Sequence, residues 1–138
     1  MRHYLVLVCA VAFAAAAAAQ APKSPQKPGK WQIAMEMDVP GMPMKMKPII
    51  TDVCLTEADL ADPEKAVPKD AKSDCKVSDY KVKGNTVSWT MDCPSQKMTG
   101  TGEATYTGDT YTGRMKMKMP DQEMSMKYTG KWLGTCTK

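Results

Sequence analysis

The sequence predicts an all-β domain: an antiparallel meander of about seven strands, curved into a half-barrel or a small closed barrel, with one short helix near residues 56–61 and two disulfides. Three observations support this fold class. Apolar and polar residues alternate along most of the chain, which is the period-two pattern of a half-buried strand. Two-residue turns that begin with glycine separate the alternating stretches. Four cysteines follow an apparent export signal, as is typical of a small disulfide-bonded domain.

The N-terminus has the features of a secretory signal peptide over residues 1–19. Arg2 and His3 give it a positive start, and an apolar stretch and a run of alanines follow, as such signals require. We expect cleavage after Ala19, then a flexible leader over residues 20–29, which is rich in proline, and a single β-domain over residues 30–138. The sequence therefore predicts a periplasmic or secreted protein with no membrane span after cleavage.

The composition of the mature chain argues against several classes of function. Without residues 1–19 the chain has 119 residues and a net charge of +3, which is too weak to predict nucleic acid binding. The single histidine, His3, leaves with the signal peptide, and with it the commonest catalytic group at neutral pH. Acidic residues in the strands alternate with apolar ones, so they are expected to face outward with no base or nucleophile beside them. We therefore expect no enzymatic activity and no catalytic residue.

The first two strands follow the leader. In residues 31–39, large apolar side chains alternate with small or polar ones, which predicts an amphipathic strand. After a turn at Pro40-Gly41, a second and less regular strand is predicted from Met42 to Cys54. Pro43 and Pro48 lie within it. Because proline cannot donate to a strand ladder, they indicate an edge position or a bulge.

One helical signal follows the second strand. Thr56 and Asp59 have the spacing of a capping box ahead of Leu60, and the dipeptide Asp62-Pro63 is expected to end the helix within about two turns. Residues 62–74 are polar and rich in lysine and proline. They are therefore predicted to form a surface loop.

From Lys76 onward the turns specify the strand pairing. Gly84-Asn85 and Gly108-Asp109 carry glycine first, which suits type II′ hairpins. The first turn joins Tyr80 and Val82 to a strand that contains Val87, Trp89, Met91 and Cys93. The second turn pairs Tyr106 with Tyr111, Ala104 with Gly113, Gly102 with Met115 and Gly100 with Met117.

The last hairpin depends on where its loop begins. If residues 120–123 form the loop, the expected partners are Met119 with Met124, Met117 with Met126, Met115 with Tyr128, and Tyr111 with Trp132. Both hairpins then place their apolar residues on one face, as a correct register requires. The other face carries threonines and the basic residues Arg114, Lys116, Lys118, Lys127 and Lys131. We interpret it as a solvated face, with a basic patch for an anionic surface as the alternative.

The cysteines of the mature chain are Cys54, Cys75, Cys93 and Cys136. None has Cys-x-x-Cys spacing, so neither a redox motif nor a zinc site is indicated. Four cysteines allow three pairings. Among these we expect Cys54–Cys75, which would close the helical insert, and Cys93–Cys136, which would tie the last strand to the sheet.

Ten of the thirteen methionines lie in alternating runs, so the members of each run share one face of the sheet. These are Met35/Met37, Met42/Met44/Met46, Met115/Met117/Met119 and Met124/Met126. The structural interpretation is a core in which flexible thioethers fill irregular gaps and pack against aromatic rings. Glycines such as Gly100 and Gly102 would make room for these long side chains.

Two functional interpretations of the same face remain open. Thioether sulfur is soft and selects Cu(I), and copper is the one cofactor that the sequence suggests. The candidate ligands are Met115, Met117, Met119, Met124 and Met126, among which the cross-strand pair Met117 and Met126 is the best placed. Alternatively, a curved sheet encloses space, and Gly100, Gly102, Gly113 and Gly130 would leave room for a lipocalin-like cup that holds a small apolar ligand. The candidate residues for such a cup are Trp89, Tyr111, Tyr128 and Trp132. A protein partner is also compatible with the sequence.

The order and spacing of several short motifs resemble a known family. The motifs are Pro28-Gly29-Lys30-Trp31, Cys54-Leu55-Thr56, Cys75, Cys93, Thr107-Gly108-Asp109-Thr110-Tyr111-Thr112-Gly113 and Leu133-Gly134-Thr135-Cys136. Together they are similar to domain of unknown function family 3617, a family of exported proteobacterial proteins, over essentially the whole mature chain. The resemblance implies a small secreted or periplasmic protein with paired cysteines and no established activity. It supplies no catalytic residues.

Overall fold

The computed structural model describes residues 23–41, 46–67 and 72–137. The expected signal peptide over residues 1–19 lies outside these ranges. The elements are β1 (Gly29–Asp38), β2 (Ile49–Leu55), α1 (Glu57–Ala61), α2 (Pro63–Ala66), β3 (Lys76–Lys83), β4 (Thr86–Cys93), a 3₁₀ turn (Pro94–Gln96), β5 (Met98–Thr107), β6 (Thr110–Lys118) and β7 (Glu123–Gly134). No helix among the described residues is long and apolar enough to cross a membrane.

All seven strands form one antiparallel sheet in the order β2-β1-β7-β6-β5-β4-β3. Strands β2 and β3 are its two edges and do not pair with each other, so the predicted half-barrel is confirmed and the closed barrel is not. Strand β1 lies inside the sheet because it pairs with both β2 and β7. The alternation of each strand gives the sheet one apolar face, which carries the core, and one polar face.

The predicted register is confirmed for the β5–β6 hairpin and wrong for the β6–β7 hairpin. Tyr106 faces Tyr111 and Gly100 faces Met117, as expected, and Gly84 and Gly108 both have a φ of +61°, as the first position of a type II′ turn needs. The last loop, however, covers residues 119–122 and is closed by a hydrogen bond from the Met119 amide to the Gln122 carbonyl. It starts one residue earlier than expected.

Because this loop starts one residue earlier than expected, the pairing of β6 with β7 moves by two residues. Met117 faces Met124, Met115 faces Met126, Gly113 faces Tyr128 and Tyr111 faces Gly130. A shift of two keeps every side chain on its expected face, since side chains alternate with period two. The apolar face was therefore predicted correctly, although the cross-strand partners between β6 and β7 were not.

A β-bulge in β3 keeps three apolar residues on one face. The register shifts between Ser78 and Lys81, and Asp79 adopts a φ of +50°. Val77 and Val82 are five positions apart, so a regular strand would direct them to opposite faces. The extra residue of the bulge lets both of them, and Tyr80, pack against the core.

Strand β2 begins later than expected, and the helical signal that follows it is confirmed. Strand β2 begins at Ile49 and is an edge strand, as the prolines indicated, while residues 42–45 lie outside the described ranges. The capping box is confirmed: the Thr56 hydroxyl accepts a hydrogen bond from the Asp59 amide, and the Asp59 carboxylate accepts one from the Thr56 amide.

The predicted surface loop over residues 62–74 is wrong at its start, because Asp62 ends α1 and also caps α2. Its side chain accepts a hydrogen bond from the Glu64 amide, and Pro63 occupies the first helical turn, where proline is favoured. Since β2 and β3 are opposite edges of the sheet, the segment between them crosses from one edge to the other, and Val67 after α2 packs in the core. The Glu64 carboxylate accepts a hydrogen bond from the Val77 amide at 2.7 Å, which joins the crossing segment to β3.

The predicted disulfide pairing is also wrong: the bonds are Cys54–Cys136 and Cys75–Cys93. The strand order explains both. Lys30 of β1 pairs with Cys54 on one side and Gly134 on the other, which brings Cys136 next to Cys54. Lys76 pairs with Asp92, so the residues that flank this pair, Cys75 and Cys93, meet at the end of β3 and β4.

Residues 24–28, expected to belong to a flexible leader, pack against the end of the sheet. Gln26 is buried, and its side-chain oxygen accepts a hydrogen bond from the Tyr106 hydroxyl at 3.1 Å. The backbone carbonyl of Lys27 accepts from the Trp31 indole at 2.9 Å, and the Lys27 ammonium forms an ion pair with Asp109. This part of the chain therefore contributes to the core.

Candidate apolar binding site

Two adjoining spaces open on the apolar face. We call the first the methionine groove; it has a volume of about 410 Å³ and is lined by Ile33, Met35, Ile49, Thr51, Val53, Ser73, Cys75, Met91, Gln96, Met98, Met115, Met117, Met126 and Tyr128. We call the second the aromatic cavity; it has a volume of about 140 Å³ and lies beneath α2, among Trp89, Tyr106, Tyr111 and Tyr128. Ile33, Val53 and Tyr128 line both spaces.

Cross-strand pairing arranges methionines of the apolar face in rows. Met115 of β6 faces Met126 of β7, and Met126 in turn faces Met37 of β1. In the next row, Met117 faces Met124. Met115 and Met117 are only 2% and 3% exposed, whereas Met37, Met124 and Met126 are half-buried. Part of the methionine face is thus core, and part is partly exposed to solvent.

The Tyr128 hydroxyl lies between two of these sulfurs. It is 3.4 Å from the sulfur of Met126 and 3.8 Å from that of Met115. Burial raises the pKa of Tyr128 to about 12, because the charged phenolate is poorly solvated there. The hydroxyl therefore stays protonated at neutral pH and serves as a donor to thioether sulfur.

Of the five methionines predicted as metal ligands, the sheet brings four together. Met115, Met117, Met124 and Met126 form two neighbouring cross-strand pairs, although the expected pair of Met117 with Met126 is not among them. Met119 lies in the β6–β7 loop, where the Gln122 amide contacts its sulfur at 3.8 Å.

Sequence reasoning missed three further methionines that line the groove, Met35, Met91 and Met98. Met35 and Met91 were visible as apolar positions in alternating strands. Met98 lies outside every alternating run, so the sequence carried no signal for it.

Three of the four residues predicted for a cup line the aromatic cavity: Trp89, Tyr111 and Tyr128. Trp132 does not. Its indole donates a hydrogen bond to the Pro28 carbonyl at 3.1 Å, and the Lys27 ammonium lies 5.3 Å from its ring centroid. Trp132 therefore holds residues 27–28 against the sheet.

The space beside most glycines of the apolar face is filled by a large side chain from a neighbouring strand and is not empty. A β-carbon built on Gly100 would lie well under 3.0 Å from the Met117 sulfur. In the same way, one built on Gly102 would collide with the Trp89 ring, and one on Gly130 with the Tyr111 ring. Gly113 is the exception, since it lines the aromatic cavity.

The aromatic cavity is bounded by polar groups as well as rings. The indole N–H of Trp89 is buried and has no hydrogen-bond partner within the described part of the chain. Burial also raises the pKa values of Tyr106 and Tyr111 above the usual range of tyrosine. These rings pack on one another and on Trp31, with centroids 5.1 to 6.5 Å apart.

The polar face has the character of a solvated surface. Arg114 forms an ion pair with Glu103 at 2.7 Å, and Lys30 forms one with Asp52 at 3.0 Å. Lys116, Lys118 and Lys127 are exposed. Over residues 23–41, 46–67 and 72–137, no three His, Cys, Asp or Glu side chains are grouped so that they could hold a metal ion.

Comparison with known proteins agrees with the motif resemblance. A family model described as "Protein of unknown function (DUF3617)" matches residues 26–136. No curated protein and no solved structure matches the chain. The matched range extends from the buried Gln26 through all seven strands to Cys136, and so covers both disulfides. The chain therefore belongs to the DUF3617 family of proteins of unknown function.

Proposed function

We propose that this protein is an exported, non-catalytic binding protein, and that the methionine groove holds a small apolar ligand. The observation that carries the proposal is the groove itself. Its volume of about 410 Å³ falls within the range of roughly 300–1,000 Å³ that is typical of small-molecule sites. Its lining contains six methionines, and among the described residues that line it no side chain is charged.

The chemistry of the lining defines the ligand class. Thioether side chains are flexible and polarisable, so they adapt to apolar molecules of varied shape. The polar side chains Thr51, Ser73 and Gln96 are confined to β2 and to the segments that flank β3 and β5. The bound part of the ligand is accordingly uncharged and apolar, with at most a few hydrogen-bonding groups at its end.

Export is supported by the character of residues 1–19 and by the two disulfides, since disulfides persist in oxidising compartments. Expression of the full chain with fractionation tests this part of the proposal. We expect a mature form in the periplasmic fraction whose mass corresponds to a chain that begins at Gln20 and carries two disulfides. Recovery of the full-length chain from the cytoplasm with free thiols would contradict export.

A pair of neighbouring substitutions tests the binding site. Thr51 lines the groove, while Ile50 points to the opposite face of the same edge strand and is 64% exposed. We expect the mature protein to enhance the fluorescence of N-phenyl-1-naphthylamine. Thr51→Trp should weaken this binding at least tenfold because the indole occupies the groove, and Ile50→Trp should change it less than twofold.

The melting temperatures of both variants serve as the folding control. Absence of probe binding by the wild-type protein, or an equal loss in the two variants, would contradict the assignment of the groove. If the probe binds in the groove as expected, mass spectrometry of an organic extract of the purified periplasmic protein would identify the natural ligand.

A further inference from the structure

Three methionines lie directly opposite one another on three adjacent strands. Met37 of β1 faces Met126 of β7, and Met126 faces Met115 of β6. Directly opposite residues in an antiparallel pair have β-carbons about 4.5–5.5 Å apart. The strand order β1-β7-β6 thus produces a continuous row of three thioether side chains.

Two sulfurs of this row contact the same hydroxyl group. Those of Met126 and Met115 lie 3.4 Å and 3.8 Å from the same hydroxyl, that of Tyr128. They are therefore within reach of a common point, and the three rotatable bonds of methionine permit the small adjustment that joint ligation needs. Met37 and Met126 are half-buried, so the row is accessible from outside, and Met126 lines the methionine groove.

The neighbouring row is packed differently. Met117 is buried, and its sulfur occupies the space above Gly100, where no β-carbon would fit. Met115 is as deeply buried as Met117, but its sulfur lies beside the Tyr128 hydroxyl that also contacts Met126, whereas the sulfur of Met117 lies against Gly100. The structure therefore favours the row of Met37, Met126 and Met115 over the pair of Met117 and Met126 that the sequence suggested.

Thioether sulfur is a soft, neutral ligand that selects Cu(I) over harder divalent ions. All four cysteines of the β-domain are in disulfides, so thioethers are the soft donors that the described residues offer. We propose that Met37, Met126 and Met115 bind one Cu(I) ion. This function goes beyond the apolar ligand and does not depend on it.

Competition with a chromophoric Cu(I) chelator tests the proposal. The mature protein, with its disulfides intact, is titrated anaerobically into the bicinchoninate complex of Cu(I). We expect the transfer of one Cu(I) ion per chain. Met37→Leu and Met126→Leu, which conserve side-chain volume, should each raise the Kd at least tenfold.

Two methionines outside the row provide matched controls. Met98→Leu alters the groove but not the row, and Met119→Leu alters the loop; each should change the Kd less than twofold. Absence of transfer to the wild-type protein, or an equal loss in Met98→Leu, would overturn the proposal. Met37 does not line the groove, so Met37→Leu should leave naphthylamine binding unchanged, and the two proposals can fail separately.

Discussion

The ring of Tyr111 lies across Gly130, in the place that a β-carbon on residue 130 would occupy. The two residues face each other on β6 and β7, and the ring also packs against Trp31 and Tyr106 with centroid separations of 5.6 Å and 5.1 Å. Glycine at position 130 therefore lets the aromatic end of the core close over the sheet.

Gly130→Ala should destabilise the protein. The new methyl group would approach three ring carbons of Tyr111 at far less than van der Waals distance, and overpacking of this kind typically costs about 1–3 kcal/mol. Urea unfolding measures the change. Thr129→Ala, at the exposed neighbouring position, should cost no more than about 0.5 kcal/mol, and equal losses in the two variants would refute the packing argument.

Met117→Lys should destabilise the folded protein more than Met119→Lys. Met117 is 3% exposed and packs over Gly100, so an ammonium there would be buried without a partner, at a cost of about 3 kcal/mol or more. Met119 lies in the loop and is only half-buried, so a lysine there keeps access to water. Thermal unfolding distinguishes the two. An unchanged melting temperature for Met117→Lys would show that this part of the methionine face is not core.

The two disulfides should differ in their contributions to stability. The cysteine pairs are separated by 82 residues for Cys54–Cys136 and by 18 for Cys75–Cys93. The chain-entropy model then assigns about 4.5 kcal/mol to the longer loop and about 3 kcal/mol to the shorter one. Double Cys→Ser variants measured by urea unfolding test this order.

Because Cys75 and Cys93 are buried and Cys54 is exposed, substitution of the Cys75–Cys93 pair also costs core packing. The chain-entropy order is therefore measured by reducing each disulfide in the double variant that lacks the other, and a larger loss on reduction of Cys75–Cys93 would contradict it. Peptide mapping without reduction provides the direct check of connectivity. It should recover peptides that link Cys54 to Cys136 and Cys75 to Cys93, and any other linkage would contradict the strand order.

Stability should fall in alkali as the buried tyrosines ionise. Burial raises the pKa of Tyr128 from its usual 10.0 to about 12, and it also raises the pKa values of Tyr106 and Tyr111. The unfolded chain releases these protons near pH 10 and the folded protein only at higher pH. The stabilisation is therefore complete below pH 10 and is lost as the pH rises toward 12, at about 1.4 kcal/mol per unit of pKa shift.

Urea unfolding at pH 8, 10 and 11.5 measures this decline. In Tyr128→Phe the slope of stability against pH should be smaller, since one titrating group is gone. A free energy of unfolding that stays constant up to pH 11.5 would show that the tyrosines are not shielded from water.

Local sequence patterns were sufficient to predict much of the fold. Alternation identified the strands and the apolar face, and the pairing of Tyr106 with Tyr111 followed from the Gly108-Asp109 turn. A two-residue loop leaves a single register, so the turn chemistry specifies the partners. The capping box at Thr56 likewise follows from contacts three residues apart.

The last hairpin shows where local pattern is insufficient. A four-residue loop that starts at Met119 and one that starts at Pro120 both keep the methionines on the apolar face. The sequence contains no feature that separates them, because period-two alternation is unchanged by a shift of two. Packing of the Tyr111 ring over Gly130 favours the observed register, because the alternative would place Trp132 opposite Tyr111.

Outside the bulge in β3, the sequence by itself determined which side chains face the core and which face water, since that depends on alternation within each strand. The tertiary structure alone decided which of those side chains meet across strands that no two-residue turn connects. The pairing of β1 with β7 joins residues about a hundred positions apart, and no local periodicity encodes it. That pairing brings Cys54 to Cys136 and aligns Met37 with Met126 and Met115, so the disulfide connectivity and the proposed copper site both follow from a long-range contact between strands.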